Sequence, residues 1–246
     1  SLFIPEEGCQ WGVFDYSQQE PRLTVHYANQ MNLTGAKDAV SLYTNDNADF
    51  HQIVADMAGV SRTHAKTINL GIMYGMGVAK LANQMAITAD EAKTIIADHR
   101  SKVPFVKQLA DIASKRAGKN GQIRTLLGRL CRFDMWEPST FGYNKPLPIE
   151  EAEEVYGGMG QLRRAFTYKA LNRLIQGSAA DQTKKAMLDC YNAGLTPMLT
   201  VHDELCFNVE SDEQAAQIKE IMETGVPLKV PSKIDQELKD NWGEIE

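Results

Sequence analysis

The sequence predicts an α+β protein, because strand-like runs near its two ends enclose a long region of helical pattern. The run QWGVFDYS near the amino terminus is short and apolar and ends on an acid, which is typical of a buried strand that stops at the rim of a sheet. Near the carboxyl terminus, TPMLTV, HDE and LCFNVE predict a strand, a tight turn and a second strand. We therefore expect strands at both ends of the chain around a larger helical part.

Capping residues and apolar spacing predict the helices. Thr88 and Glu91 stand in capping-box spacing, and Pro104 interrupts the helical pattern that follows them. Asp49 and Ser61 are candidate caps of two further helices. The predicted helical stretches are residues 23–31, 49–57, a stretch from residue 62, 88–115 and 164–190.

Composition limits the class of protein. The 246 residues are 43% hydrophobic, which is enough to bury a sizeable core. No apolar run approaches the roughly 18 residues of a membrane span, and the amino terminus lacks the pattern of a signal peptide. The four cysteines lie far apart without a CxxC pair, which argues against a zinc knuckle or a disulfide framework. We expect a soluble protein of a reducing, cytoplasm-like compartment with no membrane partner.

Charge is distributed unevenly along the chain. The net charge is −6, but residues 91–133 hold ten Lys or Arg against three acids, whereas residues 203–246 hold twelve acids and four lysines. Such an uneven charge distribution suits a protein that binds a phosphate backbone through one basic surface and keeps its acids elsewhere, some of them for metal binding. The alternative is that the basic segment is only the solvated side of a long helix.

Residues 134–160 hold three prolines and an acidic cluster. This composition predicts a flexible surface excursion.

Two acids follow short apolar strands. Asp15 comes after WGVF, Asp203 comes after MLTVH, and Glu204 is next to it. If those strands pair, the two aspartates converge although 188 residues separate them in sequence. Convergent carboxylates repel one another, so they indicate either a Mg²⁺ site or an acid–base pair with one shifted pKa. The alternative is that both are ordinary turn acids.

A slanting stripe of side chains follows one predicted helix. Arg62, Lys66, Leu70 and Tyr74 recur every four residues in SRTHAKTINLGIMYG, so they share one face. Two cations, an apolar side chain and an aromatic ring in line could hold the phosphates and then the ring of a nucleotide. The same spacing is also expected of an amphipathic helix whose long cations only snorkel to solvent.

Three strings in fixed order resemble the motifs of one protein family. DYSQQEPR, RTHAKTINLGIMYG and VHDE are similar to motifs A, B and C of the family A, or DNA polymerase I-like, DNA polymerases. NRLIQGSAADQTKKAM resembles the helix that precedes motif C, and the closing VPLKVPSKIDQELKDNWGE resembles the family's carboxyl-terminal end. The resemblance covers nearly the whole chain. It implies a right-hand architecture, with an antiparallel palm sheet and a mostly helical fingers subdomain.

The resemblance implies template-directed DNA synthesis by two-metal nucleotidyl transfer from a dNTP to a primer 3′-hydroxyl. Asp15 and Asp203 match the metal-binding aspartates, which hold two Mg²⁺ ions together with the backbone of Tyr16. Glu204 matches the acid beside them, and Lys66 matches a residue that grips the triphosphate and donates a proton to pyrophosphate. The family positions implied for substrate binding are Glu20, the steric gate against a ribose 2′-hydroxyl, together with His51, Arg62, Lys66, Leu70 and Tyr74. Those implied for contacts with primer–template DNA are Arg129, Asn172, Gln176 and His202.

The resemblance also divides the chain. It implies palm in residues 1–31 and 161–246, fingers in residues 32–132, and a family-variable insertion in residues 133–160. Only fourteen residues precede Asp15, so we expect the thumb and any exonuclease domain to be absent and the chain to be part of a longer polymerase. Leu70 occupies a position that is commonly Phe or Tyr in the family, whereas leucine is familiar there among some phage polymerases. The resemblance therefore makes a bacterial or phage-infected cell the expected source.

Two alternative functions stay open. A thumbless palm and fingers could act only as a primer–template binding module, although paired metal-binding acids are unnecessary for binding. A single-subunit RNA polymerase would share the architecture, but a bulky gate at Glu20 disfavours the acceptance of ribonucleotides.

Overall fold

A computed structural model describes residues 3–45, 49–52, 55, 61–140, 142 and 144–244. The strands are β1 (Gln10–Tyr16), β2 (Gln122–Arg124), β3 (Leu130–Arg132), β4 (Trp136–Pro138), β5 (Leu162–Arg164), β6 (Pro197–Val201), β7 (Glu204–Val209) and β8 (Ile234–Lys239). The helices are α1 (Gln19–Gln30), α2 (Ala36–Asn45), α3 (Arg62–Met73), α4 (Val78–Met85), α5 (Ala89–Lys102), α6 (Pro104–Asn120), α7 (Ile149–Tyr156), α8 (Ala170–Asn192) and α9 (Asp212–Thr224).

A four-stranded antiparallel sheet joins the two ends of the chain in the order β6-β7-β1-β8. This sheet and the surrounding helices confirm the predicted α+β class. The predicted convergence of the two strands differs in detail, because β1 pairs with β7 and not with β6. Strand β8, which the sequence pattern did not predict, forms the other edge beside β1.

Strand β1 is buried on both faces, which explains why its sequence is continuously apolar instead of alternating. Phe14 and Tyr16 pack with Phe207 and with Met222 of α9 in one apolar cluster. Trp11 and Val13 on the other face pack with Cys206, Leu199 and Trp242. Large buried side chains such as these each contribute about 1.5–3 kcal/mol by leaving water, so the sheet is held from both sides.

Apart from α9, which packs against the sheet, most of the helices pack in two apolar clusters. One joins α1, α6 and α8 and includes Leu23, Leu109 and Ile175. The other is smaller and joins α3, α4 and α5, with Ile68 and Leu81 fully buried in it. Helix α3, which carries the basic stripe, packs with α4 and α5 over most of its length, while Met73 at its carboxyl end belongs to the larger cluster.

Several predicted helix ends are confirmed. Thr88 and Glu91 form a full capping box at the start of α5, and Pro104 opens α6 as its first residue. Ser61 caps α3 by accepting a hydrogen bond from the His64 amide, and the Asp49 carboxylate accepts from the amides of residues 51 and 52. The predicted helix from residue 49 is helical at 50–52 and 55, and the rest of it lies outside the described residues.

Two segments differ from expectation. The helix expected over 164–190 begins only at 170, because residues 162–164 form β5 and pair with β4. The 134–160 excursion contains β4, an isolated bridge from Trp136 to Leu147, and α7. The acidic cluster in this excursion lies in α7, and two of its glutamates fall in the first turn, where negative charge is favourable.

All four cysteines lie within the described part of the chain, and none of them forms a disulfide. Across residues 3–45, 49–52, 55, 61–140, 142 and 144–244, we find no helix with both the length and the apolar character that crossing a membrane requires.

A glycine substitution tests the packing of β1. A Cβ on Gly12 would lie 2.4 Å from Val209 Cγ2 and 2.9 Å from Phe14 Cε2, so Gly12→Ala is expected to destabilise the fold by about 1–3 kcal/mol. A Cβ on Gly118 in α6 would meet no atom within 4 Å, so Gly118→Ala is the matched control and should stabilise by about 0.5–1 kcal/mol. Urea unfolding measures both free energies, and equal effects of the two substitutions would contradict the close packing.

Candidate active site

Strand pairing gathers carboxylates at one end of the sheet. Asp15 in β1 is paired with Glu204 of β7 on one side and with Asp235 of β8 on the other. Like charges directly across a sheet are unfavourable, so apolar packing elsewhere in the sheet must hold these residues together.

Asp203 reaches this end of the sheet from a tight turn. His202 and Asp203 connect β6 to β7, and His202 takes a φ of 56°, in the left-handed region that costs a residue with a side chain about 1–2 kcal/mol. Such strained positions persist where the surrounding structure fixes them, and they are common at functional sites.

The acids open onto a cavity of about 680 Å³, a size typical of small-molecule sites. The described residues that line it include most of the predicted site: Asp15, Tyr16, Glu20, His51, Arg62, Lys66, Leu70, Gln176, His202 and Asp203. The side chain of Tyr16 points into the core and donates to the carbonyl oxygen of Met222 at 2.9 Å. Its backbone is therefore the part that can serve the cavity.

Helix α3 supplies the cationic wall of the cavity. Arg62, Lys66 and Leu70 all line it, so the sequence stripe faces the acids. The charge of Lys66 acts on both Asp15 and Asp203 and opposes the rise of their pKa values. Arg62 is already engaged, because its Nε donates to the carboxylate of Asp49.

Burial and mutual repulsion make these acids hard to ionise. Burial first, and then the charges of Asp203, Glu204 and Asp235, raise the pKa of Asp15 to about 6. Burial likewise raises the pKa of Asp203, and burial together with the charge of Asp203 raises the pKa of Glu20 to about 7. A bound cation would relieve this repulsion and restore the ionised forms.

The oxygen donors fit a hard cation that shares its coordination with a substrate. Among the described residues, no three His, Cys, Asp or Glu side chains converge as a metal-binding group. Asp15, Asp203 and the backbone of Tyr16 nevertheless line one cavity. Mg²⁺ in proteins is commonly bound through one or two carboxylates plus substrate phosphates, so this set suits Mg²⁺ and does not form a closed structural site.

Glu20 is held by the far end of α3. The Tyr74 hydroxyl donates to the Glu20 carboxylate, and Tyr74 itself lines a neighbouring cleft. Leu70 lines both the cavity and that cleft. Asn172 of α8 also lines the cleft, which adjoins the cavity at Leu70.

Two predicted site residues have other partners. Glu204 is not among the described residues that line the cavity. Its Oε1 accepts hydrogen bonds from Trp242 Nε1 at 3.3 Å and from Cys206 Sγ at 3.1 Å. Arg129 forms an ion pair with the buried Asp181 and donates to the carbonyl oxygen of Gly177 at 2.6 Å. Their predicted roles in catalysis and DNA contact stay predictions.

The sequence reasoning missed three residues near the site. Asp235 lines the cavity, but its place depends on the unpredicted strand β8. Asn69 is a buried polar residue that contacts His51, and His99 is a buried residue that contacts Asn69. Asn69 lies in RTHAKTINLGIMYG on α3. A polar residue on the apolar side of that helix indicates a buried hydrogen-bond partner, and this pattern could have identified Asn69.

A family model and individual relatives identify the same protein family. A family-level sequence model for DNA polymerase family A matches residues 1–244. A DNA-directed DNA polymerase of Pseudomonas phage M6 is 37% identical over 99% of this chain and 40% of that protein. DNA polymerase I of Geobacillus stearothermophilus is 32% identical over 98% of this chain and 27% of that protein. The chain thus spans well under half the length of these relatives.

A solved structure agrees with the sequence relatives. The POL domain of Pol1 from M. smegmatis, in complex with DNA primer-template and dNTP, aligns with a TM-score of 0.74 and 28% identity. The alignment covers 97% of this chain and 41% of that chain.

A stability measurement tests the repulsion around Asp15. The pKa of Asp15 is raised from 3.8 to about 6, so the folded state retains a proton that the unfolded state has lost. Stability therefore falls as the pH rises through this window. Without divalent ions, Asp15→Asn should stabilise the fold by about 1 kcal/mol at about pH 7.5, allowing for solvent screening, and by much less at about pH 4.5.

Urea unfolding at both pH values measures this difference. Asp98→Asn is the control, since Asp98 is an exposed aspartate on α5 and is not among the described residues that line the cavity. A stabilising effect of Asp15→Asn that is the same at both pH values would argue against mutual repulsion of the acids.

Proposed function

The chain belongs to DNA polymerase family A, and from that premise we propose that it performs template-directed DNA synthesis, joining a dNTP to a primer 3′-hydroxyl. The observation that carries the proposal is the single cavity in which Asp15 and Asp203 share space with Lys66 and Arg62. Paired acids and paired cations are what phosphoryl transfer with a metal-bound triphosphate requires.

The subdomains follow the sequence division. Residues 1–31 and 161–246 form the palm, and residues 32–132 form the fingers, with 133–160 as the insertion. The separate apolar cluster of α3, α4 and α5 supports a fingers unit that is packed apart from the sheet. The acids belong to the palm sheet and the cations to the fingers.

The metal site consists of Asp15, Asp203 and the backbone of Tyr16. Two Mg²⁺ ions bound there would lower the pKa of the primer hydroxyl and neutralise charge on the triphosphate and pyrophosphate. The raised pKa values of both aspartates support this assignment, because such acids gain most from a cation. Glu204, beside Asp15 in the sheet, adds negative charge to the same site.

The triphosphate binds along α3. Arg62 and Lys66 pair with its oxygens, and His51 donates a hydrogen bond from the same wall of the cavity. The primer 3′-hydroxyl gives its proton to solvent as its oxygen bonds to the α-phosphorus, and the bond from that phosphorus to the bridging oxygen of the pyrophosphate breaks. Lys66 gives a proton to the departing pyrophosphate.

The sugar and the base lie beyond the phosphates. Glu20 occupies the space that a ribose 2′-hydroxyl would need, and Leu70 packs against the base end of the nucleotide. Tyr74, which donates to Glu20, stands where the templating base enters. Gln176, Asn172, His202 and Arg129 contact the primer–template duplex, where minor-groove acceptors are nearly sequence-independent.

The bulky gate favours DNA synthesis over RNA synthesis. Glu20 is partly buried and is fixed by the Tyr74 hydroxyl, so its side chain cannot swing away freely. A polymerase that accepts ribonucleotides should not keep such a side chain at this place.

Loss of one metal-binding acid should abolish synthesis. Asp203→Asn is expected to reduce kcat for primer extension about a thousandfold, because charge stabilisation by bound metal contributes several kcal/mol. Glu237→Gln is the matched control, since this acid on the edge strand β8 pairs with Lys239 and has no assigned part in the cavity. Single-turnover extension of a labelled primer in the presence of Mg²⁺ measures both. Unchanged extension by Asp203→Asn would refute the catalytic assignment.

Removal of the gate should relax sugar selection. Glu20→Ala is expected to raise incorporation of rNTP relative to dNTP by about 10-fold or more, because a steric exclusion is lost. Glu20→Gln is the control, since glutamine keeps the bulk of the side chain and an oxygen that can accept from the Tyr74 hydroxyl. The ratio of kcat/KM for dATP and ATP is the measurement. Equal use of both nucleotides by the unmodified chain would instead favour an RNA polymerase.

A further inference from the structure

A buried chain of polar side chains lies behind His51. Asn69 of α3 is fully buried, and its Nδ2 lies 3.1 Å from His51 Nδ1. The Oδ1 of Asn69 lies 3.0 Å from Nε2 of His99, which is buried on α5. His51 itself is buried but lines the nucleotide cavity. The order of contacts is therefore His99, Asn69, His51, cavity.

The orientation of the Asn69 amide is fixed by a neighbouring carbonyl. Asn69 Nδ2 also lies 3.4 Å from the backbone oxygen of Phe50. A carbonyl oxygen only accepts, so the amide atom next to it must be the NH₂ group. With Nδ2 on this side, one of its hydrogens goes to Phe50 and the other to His51 Nδ1. The Asn69 oxygen is then left for His99.

These directions determine which ring nitrogen of each histidine carries hydrogen. His99 Nε2 must donate, because the Asn69 oxygen can only accept. Its Nδ1 is then a bare acceptor, which agrees with Nδ1 being buried without a partner among the described residues. His51 Nδ1 must accept from Asn69, so the hydrogen of a neutral His51 ring is on Nε2.

We propose that Asn69 and His99 are positioning residues that hold His51 in the tautomer with hydrogen on Nε2, so that this nitrogen donates to a phosphate oxygen of a nucleoside triphosphate. The identity of the ligand rests on the proposed function, whereas the tautomer rests on the hydrogen-bond geometry alone. The opposite tautomer would present a lone pair to the phosphate and repel it.

Electrostatics keep this arrangement neutral. Burial lowers the pKa of His99 to about 4. Burial also lowers the pKa of His51, with Arg62 and Lys66 lowering it further and Asp49 opposing them. Both rings are therefore neutral near pH 7, and only a neutral imidazole has a tautomer to be set.

The first test is independent of activity. The ¹⁵N NMR spectrum of the unmodified chain, labelled at histidine, distinguishes a protonated ring nitrogen from a bare one. The His51 signal, assigned by its loss in His51→Ala, should show hydrogen on Nε2 and a bare Nδ1. Hydrogen on Nδ1 of His51 would overturn the proposal, whether or not the protein polymerises DNA.

The second test follows binding. His99→Gln keeps an N–H donor for the Asn69 oxygen and should leave the Kd for dATP within about twofold, whereas His99→Phe removes the donor and should raise this Kd by about 5- to 10-fold. In steady-state extension, the same loss should appear in the KM for dATP, with kcat nearly unchanged. A merely structural role of His99 would lower the amount of folded protein and would not separate KM from kcat.

A double substitution decides whether the effect passes through His51. In the His51→Ala background, His99→Phe should weaken dATP binding no further. An equal additional loss in that background would contradict the proposal. If the unmodified chain does not bind dATP at all, the proposed function fails, and the NMR result still decides the tautomer.

Discussion

The site depends on the central position of β1 in the antiparallel sheet. Because β7 and β8 flank this strand, Asp15 has Glu204 on one side and Asp235 on the other. Three acids in a row are unfavourable, yet the register cannot slip by one residue without turning every buried side chain of β1 to the opposite face. The apolar packing of Phe14 and Val13 therefore holds the acids against their own repulsion, and this stored repulsion is what a bound cation can release.

The cations that face these acids lie on a helix outside the sheet. Helix α3 packs mostly in the smaller apolar cluster, and two of its polar contacts involve the cavity residues Arg62 and Glu20. Near its first turn, Arg62 pairs with Asp49, and just past its last turn, Tyr74 donates to Glu20. A triphosphate that engages Arg62 must compete with Asp49 for the guanidinium. Under the proposed function, nucleotide binding would thus exchange a hydrogen-bond partner at the start of α3 without disturbing the sheet.

Local patterns predicted much of this fold, whereas long-range pairing could not be read from them. The capping box of Thr88 and Glu91 and the turn at residues 202–203 depend on a few neighbouring residues, and both are present. Strand β8 alternates poorly, and its pairing with β1 depends on residues more than 200 positions away. For this reason, Asp235 was missed even though it lines the cavity. The motif spacing identified site residues along single elements, such as Arg62 and Lys66 on α3. It did not identify the residues with which they form hydrogen bonds, such as Asp49.

The polar residues of α8 show how the remaining geometry is fixed. Ser178, Asp181 and Thr183 are buried on a helix whose apolar pattern is weak, because each has a specific partner. Ser178 bonds to Tyr27 of α1 and accepts from the Leu126 amide, while Asp181 pairs with Arg129, and both Leu126 and Arg129 lie in the loop between β2 and β3. Hydrogen bonds are directional, so they fix the rotation of α8 as apolar contacts alone cannot. That rotation sets which residues of α8 line the cavity, Gln176 and Thr183 among them.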